Sequence, residues 1–198
     1  MAGLLRPFDA YNLVKNLKET IEIPVHMQTH ATTGMSAATN MKAIEAGIDN
    51  IDTSISSLSM TYGHSATETM LAIFEDQDRE IILDLEALEE VSKFFRNIRK
   101  KYSEFEGGLK GVDSSMLVKQ GPGGMLSNLE SQLRANKQED KIDLVKDEIP
   151  KVRKDFGYPP LVTPASQIVG AQALLNVMSS NRYENLSNES INLITGKY

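Results

Sequence analysis

The first 55 residues alternate between helical and extended hydrophobic patterns. Four apolar residues recur at helical spacing: Leu13, Val14, Leu17 and Ile21. They predict a helix over residues 7–20. A short extended run predicts a strand over residues 23–30, and the next periodic segment predicts a helix over residues 35–46 with Gly47 as its C-terminal cap. A second strand is predicted over residues 48–55.

Beyond residue 83 the pattern is helical throughout. Seven apolar residues form one stripe of an amphipathic helix over residues 84–102: Leu85, Leu88, Val91, Phe94, Phe95, Ile98 and Tyr102. Four further helical segments are predicted: 127–136, 141–149, 151–156 and 165–178. Pro150 is expected to kink or divide the stretch between residues 141 and 156, because proline interrupts the helical hydrogen bonds. No further strand and no internal repeat is predicted.

Helix, strand, helix, strand with short connections is typical of a parallel α/β sheet or barrel. The charged turn at residues 75–78 divides this α/β part from the helical remainder, so we place the boundary between residues 78 and 79. Two strands cannot cover both faces of a sheet, and they cannot close a barrel of about 250 residues. The pattern therefore predicts the tail of a larger α/β fold.

Composition excludes several classes of protein. The 198 residues carry a net charge of -6, which argues against general binding to nucleic acid or to an anionic membrane. No apolar run reaches the roughly 18 residues of a transmembrane helix, and residues 1–7 do not form a secretory signal. The absence of cysteine excludes disulfides, Cys-based zinc sites and thiol catalysis within this sequence, and it fits the cytoplasm.

Three polar residues alternate on the first predicted strand: His26, Gln28 and His30. At a period of two they share one face. Two histidines on one strand can bind a metal ion, but His26 and His30 would lie about 13 Å apart on an ideal strand. That separation is too large for parallel side chains to share one ion. Both interpretations, a metal site and hydrogen-bonded polar residues at a strand end, stay open at this point.

Thr163 and Pro164 stand at the start of a predicted helix, which gives Thr163 two interpretations. It is well placed to cap the helix N-terminus, with Pro164 in the first helical position. A hydroxyl at a helix N-terminus can also transfer protons near an anion. The Gly-rich stretch 121–124 lacks the Lys and Ser/Thr of a phosphate loop and is interpreted as a loop before the helix at 127. His64 is a lone loop histidine.

Five segments of the sequence together resemble one family. They are residues 1–7 (MAGLLRP), 26–34 (HMQTHATTG), 42–47 (KAIEAG), 122–129 (PGGMLSNL) and 162–170 (VTPASQIVG). All are similar to the biotin-dependent carboxyltransferase domain of pyruvate carboxylase, of the oxaloacetate decarboxylase alpha subunit and of the pyruvate-side subunit of methylmalonyl-CoA transcarboxylase. The similarity extends over essentially the whole chain in the right order.

The resemblance implies a specific fold. The family domain is a TIM barrel followed by a helical extension over its active site. Residues 1–78 would form the C-terminal part of the barrel, with its last two strands and helices, and residues 79–198 a mostly α-helical extension. The implied chemistry is carboxyl transfer between carboxybiotin and pyruvate, or its reverse from oxaloacetate, with a divalent metal polarising the keto acid.

The same resemblance implies roles for five residues. His30 matches the second metal ligand of the family, and Gln28 stands where the first, a histidine, is expected. Thr163 matches the threonine that moves a proton between the biotin ureido nitrogen and the substrate. Ser166 and Gln167 match positions near the biotin pocket. The family's carbamylated Lys, its metal-binding Asp and its substrate-binding residues precede the Met-Ala-Gly motif and have no counterpart in this sequence.

Cofactors and partners follow from the same resemblance. The metal would be zinc, manganese or cobalt, and biotin would arrive on another polypeptide, a biotin carrier protein. We expect a split subunit that works with an N-terminal carboxyltransferase half and is inactive alone; the alternative is a non-catalytic fragment or assembly module. A decarboxylase-type protein would meet a membrane only through a partner subunit.

Overall fold

The computed structural model describes residues 3–75, 82–119 and 123–198. Within them the chain forms two compact units, residues 3–114 and 115–198. The first contains helices α1 (Pro7–Thr20), α2 (Ser36–Glu45), α3 (Thr67–Phe74) and α4 (Leu85–Lys101) and strands β1 (His26–Met27) and β2 (Asn50–Ile51). The second contains helices α5 (Met116–Lys119), α6 (Gly123–Ala135), α7 (Ile142–Asp155), α8 (Ala165–Met178) and α9 (Asn188–Ile194). Three single 3₁₀ turns complete the described elements: Ser56–Leu58, Ser103–Phe105 and Glu139–Lys141.

The predicted α/β pattern is confirmed in the first unit, although the strands are shorter than expected. β1 and β2 pair in parallel, with His26 opposite Asn50 and Met27 opposite Ile51. Parallel pairing continues only as an isolated bridge between Ser54 and Ala66. Among the described residues no other strand lies beside this pair. The regular sheet is therefore limited to these two pairs of residues. The remaining residues of each predicted strand are irregular.

The core of the first unit contains no aromatic side chain at its centre. Four buried residues form its centre: Val14, Met27, Ala43 and Ile48. They come from α1, β1, α2 and the segment leading into β2, so α1 and α2 cover one face of the short sheet. Gly47 adopts a φ of +91°, which confirms the predicted glycine cap after α2.

Helix α4 has a different orientation from the one its sequence predicts. Four residues of its apolar stripe are exposed: Leu85, Val91, Phe94 and Tyr102. The helix contacts the rest of its unit along one edge of this stripe, where Leu88 and Phe95 are partly buried. Ser92 on the same edge is fully buried, and its hydroxyl pairs with that of Ser56 at 2.7 Å. Asp84 caps the helix through the amides of Glu86 and Ala87.

These contacts place α4 in the first unit. The compact units divide between Ser114 and Ser115. The boundary expected between residues 78 and 79 separates a barrel part from a helical extension and stays a prediction. Arg99 of α4 donates to the carbonyl of Ser57 at 2.8 Å, so residues beyond 79 complete the first unit. The turn at residues 76–78 lies outside the described residues.

The second unit is a helical bundle around α8. Buried residues of α6, α7 and α8 form its core: Met125, Leu126, Leu129, Leu133, Val145, Ile149, Val152, Ile168, Val169 and Ala173. Gly170 allows α6 to approach closely, because a Cβ there would lie 2.6 Å from the Sδ of Met125.

The structure differs from two sequence expectations about these helices. Helix α7 continues through Pro150, so the stretch is not divided there. Val145, Ile149 and Val152 are buried on both sides of the proline, so packing supports one continuous helix despite the lost hydrogen bond. Helix α6 begins at Gly123, so part of the Gly-rich stretch belongs to the helix rather than to a loop.

A buried polar network joins α7, α8 and the segment before α9. Glu148 is 5% exposed, and its Oε1 accepts from Asn176 at 3.0 Å and from Arg182 at 2.6 Å. The fully buried Gln172 donates to the carbonyl oxygen of Asn185 and accepts from the hydroxyl of Ser190. These bonds fix the chain that connects α8 to α9.

Candidate functional site

The two residues matched to the family's metal ligands lie just after β1. Gln28 is exposed and His30 is half-buried, and the fully buried Thr29 separates them. The alternation predicted from the sequence is therefore present, although only His26 and Met27 pair as a strand.

His30 is held by the turn at residues 60–64. Its Nδ1 lies 2.7 Å from the carbonyl oxygen of Tyr62, and its ring centroid lies 5.3 Å from that of His64. Burial lowers the pKa of His30 below its ordinary value of 6.5, and the hydrogen bond to Tyr62 offsets only part of this effect. The imidazole is therefore mainly neutral at pH 7.

Gly3 lies against the backbone of His30. A Cβ at residue 3 would be 2.5 Å from the carbonyl oxygen of His30, and the φ of +78° also favours glycine. The hydroxyl of Thr33 donates to the carbonyl of Gly3. The third residue of the Met-Ala-Gly motif thus packs against the polar loop, while Met1 and Ala2 lie outside the described residues.

His26 is directed to a different partner. Its Nε2 lies 2.7 Å from Oδ1 of Asp52, which follows β2. His26 and Asp52 are both exposed, so the pair resembles a surface contact more than a binding site. Of the two interpretations left open by the sequence, hydrogen bonding at the strand end describes His26.

The described residues do not provide the metal centre that the resemblance implies. Across residues 3–75, 82–119 and 123–198, no group of three or more His, Asp or Glu side chains is arranged to hold an ion. The matched positions offer one imidazole and one amide, which falls short of a usual three- or four-ligand set. A metal centre at these positions would require further ligands from another polypeptide or segment.

Thr163, Ser166 and Gln167 lie at the start of α8 in the second unit. Thr163 is exposed, and the helix begins two residues later at Ala165. The predicted capping role of Thr163 is wrong, because no side chain caps α8 and Pro164, not Thr163, occupies the N-cap position. The peptide bond between Thr163 and Pro164 is cis. The first turn is closed by backbone bonds such as that from the Ser166 amide to the Val162 carbonyl.

The two residues matched to the biotin pocket differ in exposure. Ser166 is 5% exposed, whereas Gln167 faces solvent. The Oε1 of Gln167 accepts from the side-chain amide of Asn128 on α6 at 3.1 Å. The side chain of Gln167 is therefore fixed relative to α6, on the same helix start that follows Thr163.

The role of His64 was missed by the sequence interpretation. Its Nδ1 lies 3.0 Å from the carbonyl oxygen of Thr29, on the loop that also carries His30. The two histidines are 34 positions apart and share no motif spacing, so only the fold brings them together. The one hint in the sequence that His64 matters is that the chain has just three histidines.

Comparison with known proteins identifies the lineage of both units. Residues 1–95 match the family model described as HMGL-like, and residues 116–198 match the conserved carboxylase domain. A pyruvate carboxylase subunit of Methanocaldococcus jannaschii is 46% identical over 199 residues, which cover 100% of this chain and 35% of that protein. The 5S subunit of methylmalonyl-CoA carboxyltransferase from Propionibacterium freudenreichii subsp. shermanii is also 46% identical, covering 100% of this chain and 39% of that protein.

The chain belongs to the carboxyltransferase family of pyruvate carboxylase and transcarboxylase.

Solved structures agree with this family. The carboxyl transferase domain of Rhizobium etli pyruvate carboxylase with pyruvate aligns at a TM-score of 0.89 and 30% identity, over 98% of this chain and 34% of that one. The carboxyltransferase fold is therefore shared over nearly the whole chain. The chain spans about a third of the length of these relatives. No helix among the described residues combines the length and apolar character needed to cross a membrane.

Proposed function

We propose that this chain supplies the C-terminal portion of a biotin-dependent carboxyltransferase. The reaction would move a carboxyl group between carboxybiotin and pyruvate, or in reverse from oxaloacetate. The observation that carries the proposal is the match to a carboxyltransferase domain with pyruvate over 98% of the chain at a TM-score of 0.89. Sequence identity of 46% to a pyruvate carboxylase subunit and to a transcarboxylase subunit supports the same reaction class.

The proposed enzyme needs a second polypeptide or segment that carries the rest of the barrel. This chain contributes one imidazole at the matched ligand positions, and its described residues gather no metal site. The missing part would bring the remaining metal ligands, zinc, manganese or cobalt being the family's ions, together with the substrate-binding residues. Biotin would arrive on a separate carrier protein. On its own, the chain would be inactive.

Thr163 is the residue proposed to act in the chemistry. Its exposed hydroxyl does not cap α8, so the structure gives it no capping task that would explain its presence. In the proposed decarboxylation, the Thr163 hydroxyl accepts the proton of the biotin ureido nitrogen and gives its own proton to the enolate of pyruvate. In the carboxylation direction the proton moves the opposite way. Ser166 and Gln167 follow on the same helix start and would line the biotin pocket.

A non-catalytic role is the second candidate, and one observation favours it. Gln28 occupies the position of the first metal-binding histidine, and an amide is a poor substitute for an imidazole in a transition-metal site. The chain would then act as an assembly module that retains only the helical contacts of the family. Catalysis by a reconstituted complex separates the two candidates.

The test uses this chain co-expressed with the N-terminal two thirds of a related carboxyltransferase. Oxaloacetate decarboxylation is measured with free biotin as the carboxyl acceptor, for the wild type, Thr163→Ser and Thr163→Ala, together with the thermal stability of each complex. A proton relay predicts a loss of about 10²–10⁴-fold in turnover for Thr163→Ala, with much of the rate retained by Thr163→Ser. Stability should stay within about 0.5 kcal/mol, as for other exposed positions, because no cap is lost.

Equal turnover per folded complex for Thr163 and Thr163→Ala would end the catalytic assignment. A loss of about 0.5–2 kcal/mol of stability with unchanged turnover would restore the capping interpretation instead. Val162→Ala serves as the matched control beside Thr163, since it shortens an exposed side chain that has no proton-transfer group.

A further inference from the structure

The turn at residues 60–64 is bound reciprocally to the loop that carries His30. The Nδ1 of His30 lies 2.7 Å from the carbonyl oxygen of Tyr62, and the Nδ1 of His64 lies 3.0 Å from the carbonyl oxygen of Thr29. Between them, the amide of Ala31 donates to the carbonyl of Gly63 at 2.8 Å. Three hydrogen bonds thus join two three-residue segments that lie far apart in the sequence.

Each of these carbonyl oxygens can only accept a hydrogen bond. The Nδ1 of His30 and the Nδ1 of His64 must therefore carry the protons. In a neutral imidazole the other nitrogen, Nε2, then holds the free lone pair. This is the reverse of the tautomer that predominates in free histidine, where Nε2 carries the proton.

The turn itself is built in an unusual backbone conformation. Met60 and Thr61 have φ values of 65° and 49°, a region that non-glycine residues rarely adopt. Two hydrogen bonds close the turn, from the amide of Met60 to the carbonyl of His64 at 2.7 Å and from the amide of Gly63 to the carbonyl of Met60 at 2.8 Å. Such conformations persist only where the surroundings determine them, and they concentrate at functional sites.

We infer that His64 is a positioning residue for His30: by binding the Thr29 carbonyl and lying against the His30 ring, it holds His30 with Nδ1 protonated and the Nε2 lone pair available to the active site. The two ring centroids are 5.3 Å apart and the ring planes differ by 15°, so the rings support each other. An imidazole whose Nδ1 donates to a backbone carbonyl is the form that binds a metal or accepts a proton through Nε2. The use of Nε2 by the enzyme rests on the proposed function, whereas the tautomer of His30 does not.

The test is the nitrogen spectrum of the imidazoles in the full 198-residue chain. With three histidines, long-range ¹H–¹⁵N correlation resolves each ring, and His26→Asn and His64 variants assign the signals. Wild-type His30 should show a protonated Nδ1 and an unprotonated Nε2. His64→Leu should bring the two nitrogen shifts of His30 together, as expected for mixed tautomers. His64→Asn should restore them, because the amide nitrogen of Asn can replace Nδ1 as donor to Thr29.

The matched control is His26→Asn, since His26 contacts Asp52 and not the turn. It should leave the His30 spectrum unchanged. A wild-type His30 with protonated Nε2 would overturn the inference, whether or not the His64 variants fold. So would an unchanged His30 spectrum in a folded His64→Leu variant. Neither result depends on catalysis. The tautomer inference can therefore fail while the proposed function stands, and the proposed function can fail while the tautomer inference stands.

Discussion

At the scale of single residues, Gln28 is where the sequence differs from the metal-binding motif that the resemblance implies. It stands where a histidine is expected, next to the buried Thr29 and two residues before His30. Histidine at this position would complete the motif in sequence but not the site. No group of three or more His, Asp or Glu side chains among the described residues could hold an ion.

We therefore predict that Gln28→His alone does not create a tight metal site in the isolated chain. Two imidazoles fall short of the three or four ligands that hold zinc firmly. Elemental analysis of wild-type and Gln28→His chains, purified without added metal, should find far less than one ion per chain in each. His30→Gln in the Gln28→His background serves as control. About one tightly held ion per wild-type chain would contradict the prediction.

The candidate residues His30, Thr163 and Ser166 could be named from the sequence because the motif segments occur in order, and their roles stay predictions. Their surroundings could be predicted only in part. The capping of α8 by Thr163 was predicted wrongly, because backbone bonds around Val162 and Pro164 close the first helical turn without it. The contact between His30 and His64 could not be predicted, since it depends on the turn at residues 60–64 and not on any local spacing.

At the scale of elements, local signals predicted helix bounds well and helix orientation less well. Pro7 and the following apolar residues set the observed limits of α1, and α8 also begins and ends as predicted. For α4, the stripe of apolar residues indicated a buried face, whereas Ser92 is buried and Phe94 is 61% exposed. Hydrophobic periodicity indicates that a face is apolar, but not which neighbour covers it.

The exposed stripe of α4 predicts self-association of the isolated chain. Phe94 and Val91 present apolar surface that water solvates poorly. Phe94→Lys should lower the association constant by roughly ten- to a hundredfold, since burying one large side chain is worth about 1.5–3 kcal/mol. Sedimentation velocity over a concentration series measures the change. Asn97→Lys, which adds the same charge at an exposed polar position of α4, should have little effect. A wild-type chain that stays monomeric at all concentrations would contradict the prediction.

Glu148 provides the test of how the second unit is held together. Burial alone would raise the pKa of this carboxyl, but hydrogen bonds from Asn176, Arg182 and Lys151 outweigh it and hold the pKa below 4.5. The folded state thus favours the carboxylate more than the unfolded chain does. Its stabilising contribution is complete well above pH 4.5 and is lost as the pH falls toward the folded pKa.

Glu148→Gln should lower the free energy of unfolding by about 1–3 kcal/mol at pH 7, because Arg182 and Asn176 lose a charged acceptor. Urea unfolding of the wild type and of Glu148→Gln at pH 7 and pH 4 measures both effects. The difference between the two proteins should shrink at pH 4. Asp143→Gln, at the first turn of α7, is the control. An equal difference at both pH values would contradict the assignment of this stability to the Glu148 carboxylate.

At the scale of the whole molecule, the chain spans about a third of the length of the relatives it matches. Its described residues contain one pair of strands, of two residues each. Because two strands cannot close a barrel, the sequence pattern predicts the tail of a larger fold, and this stays a prediction. What the sequence could not reveal is where the compact units divide, since that depends on the contact of Ser92 and Arg99 with the turn at residues 56–58.

In the proposed function this chain is one part of a carboxyltransferase and works only with the other. The direct measurement is oxaloacetate decarboxylation, with free biotin as the carboxyl acceptor, by three samples at equal concentration: this chain, the N-terminal two thirds of a 46% identical relative, and the two co-purified. The intact relative is the positive control. We expect background rates for each part alone and a metal-dependent rate for the co-purified pair. Decarboxylation by the isolated chain, or a co-purified pair no more active than its parts, would contradict the claim.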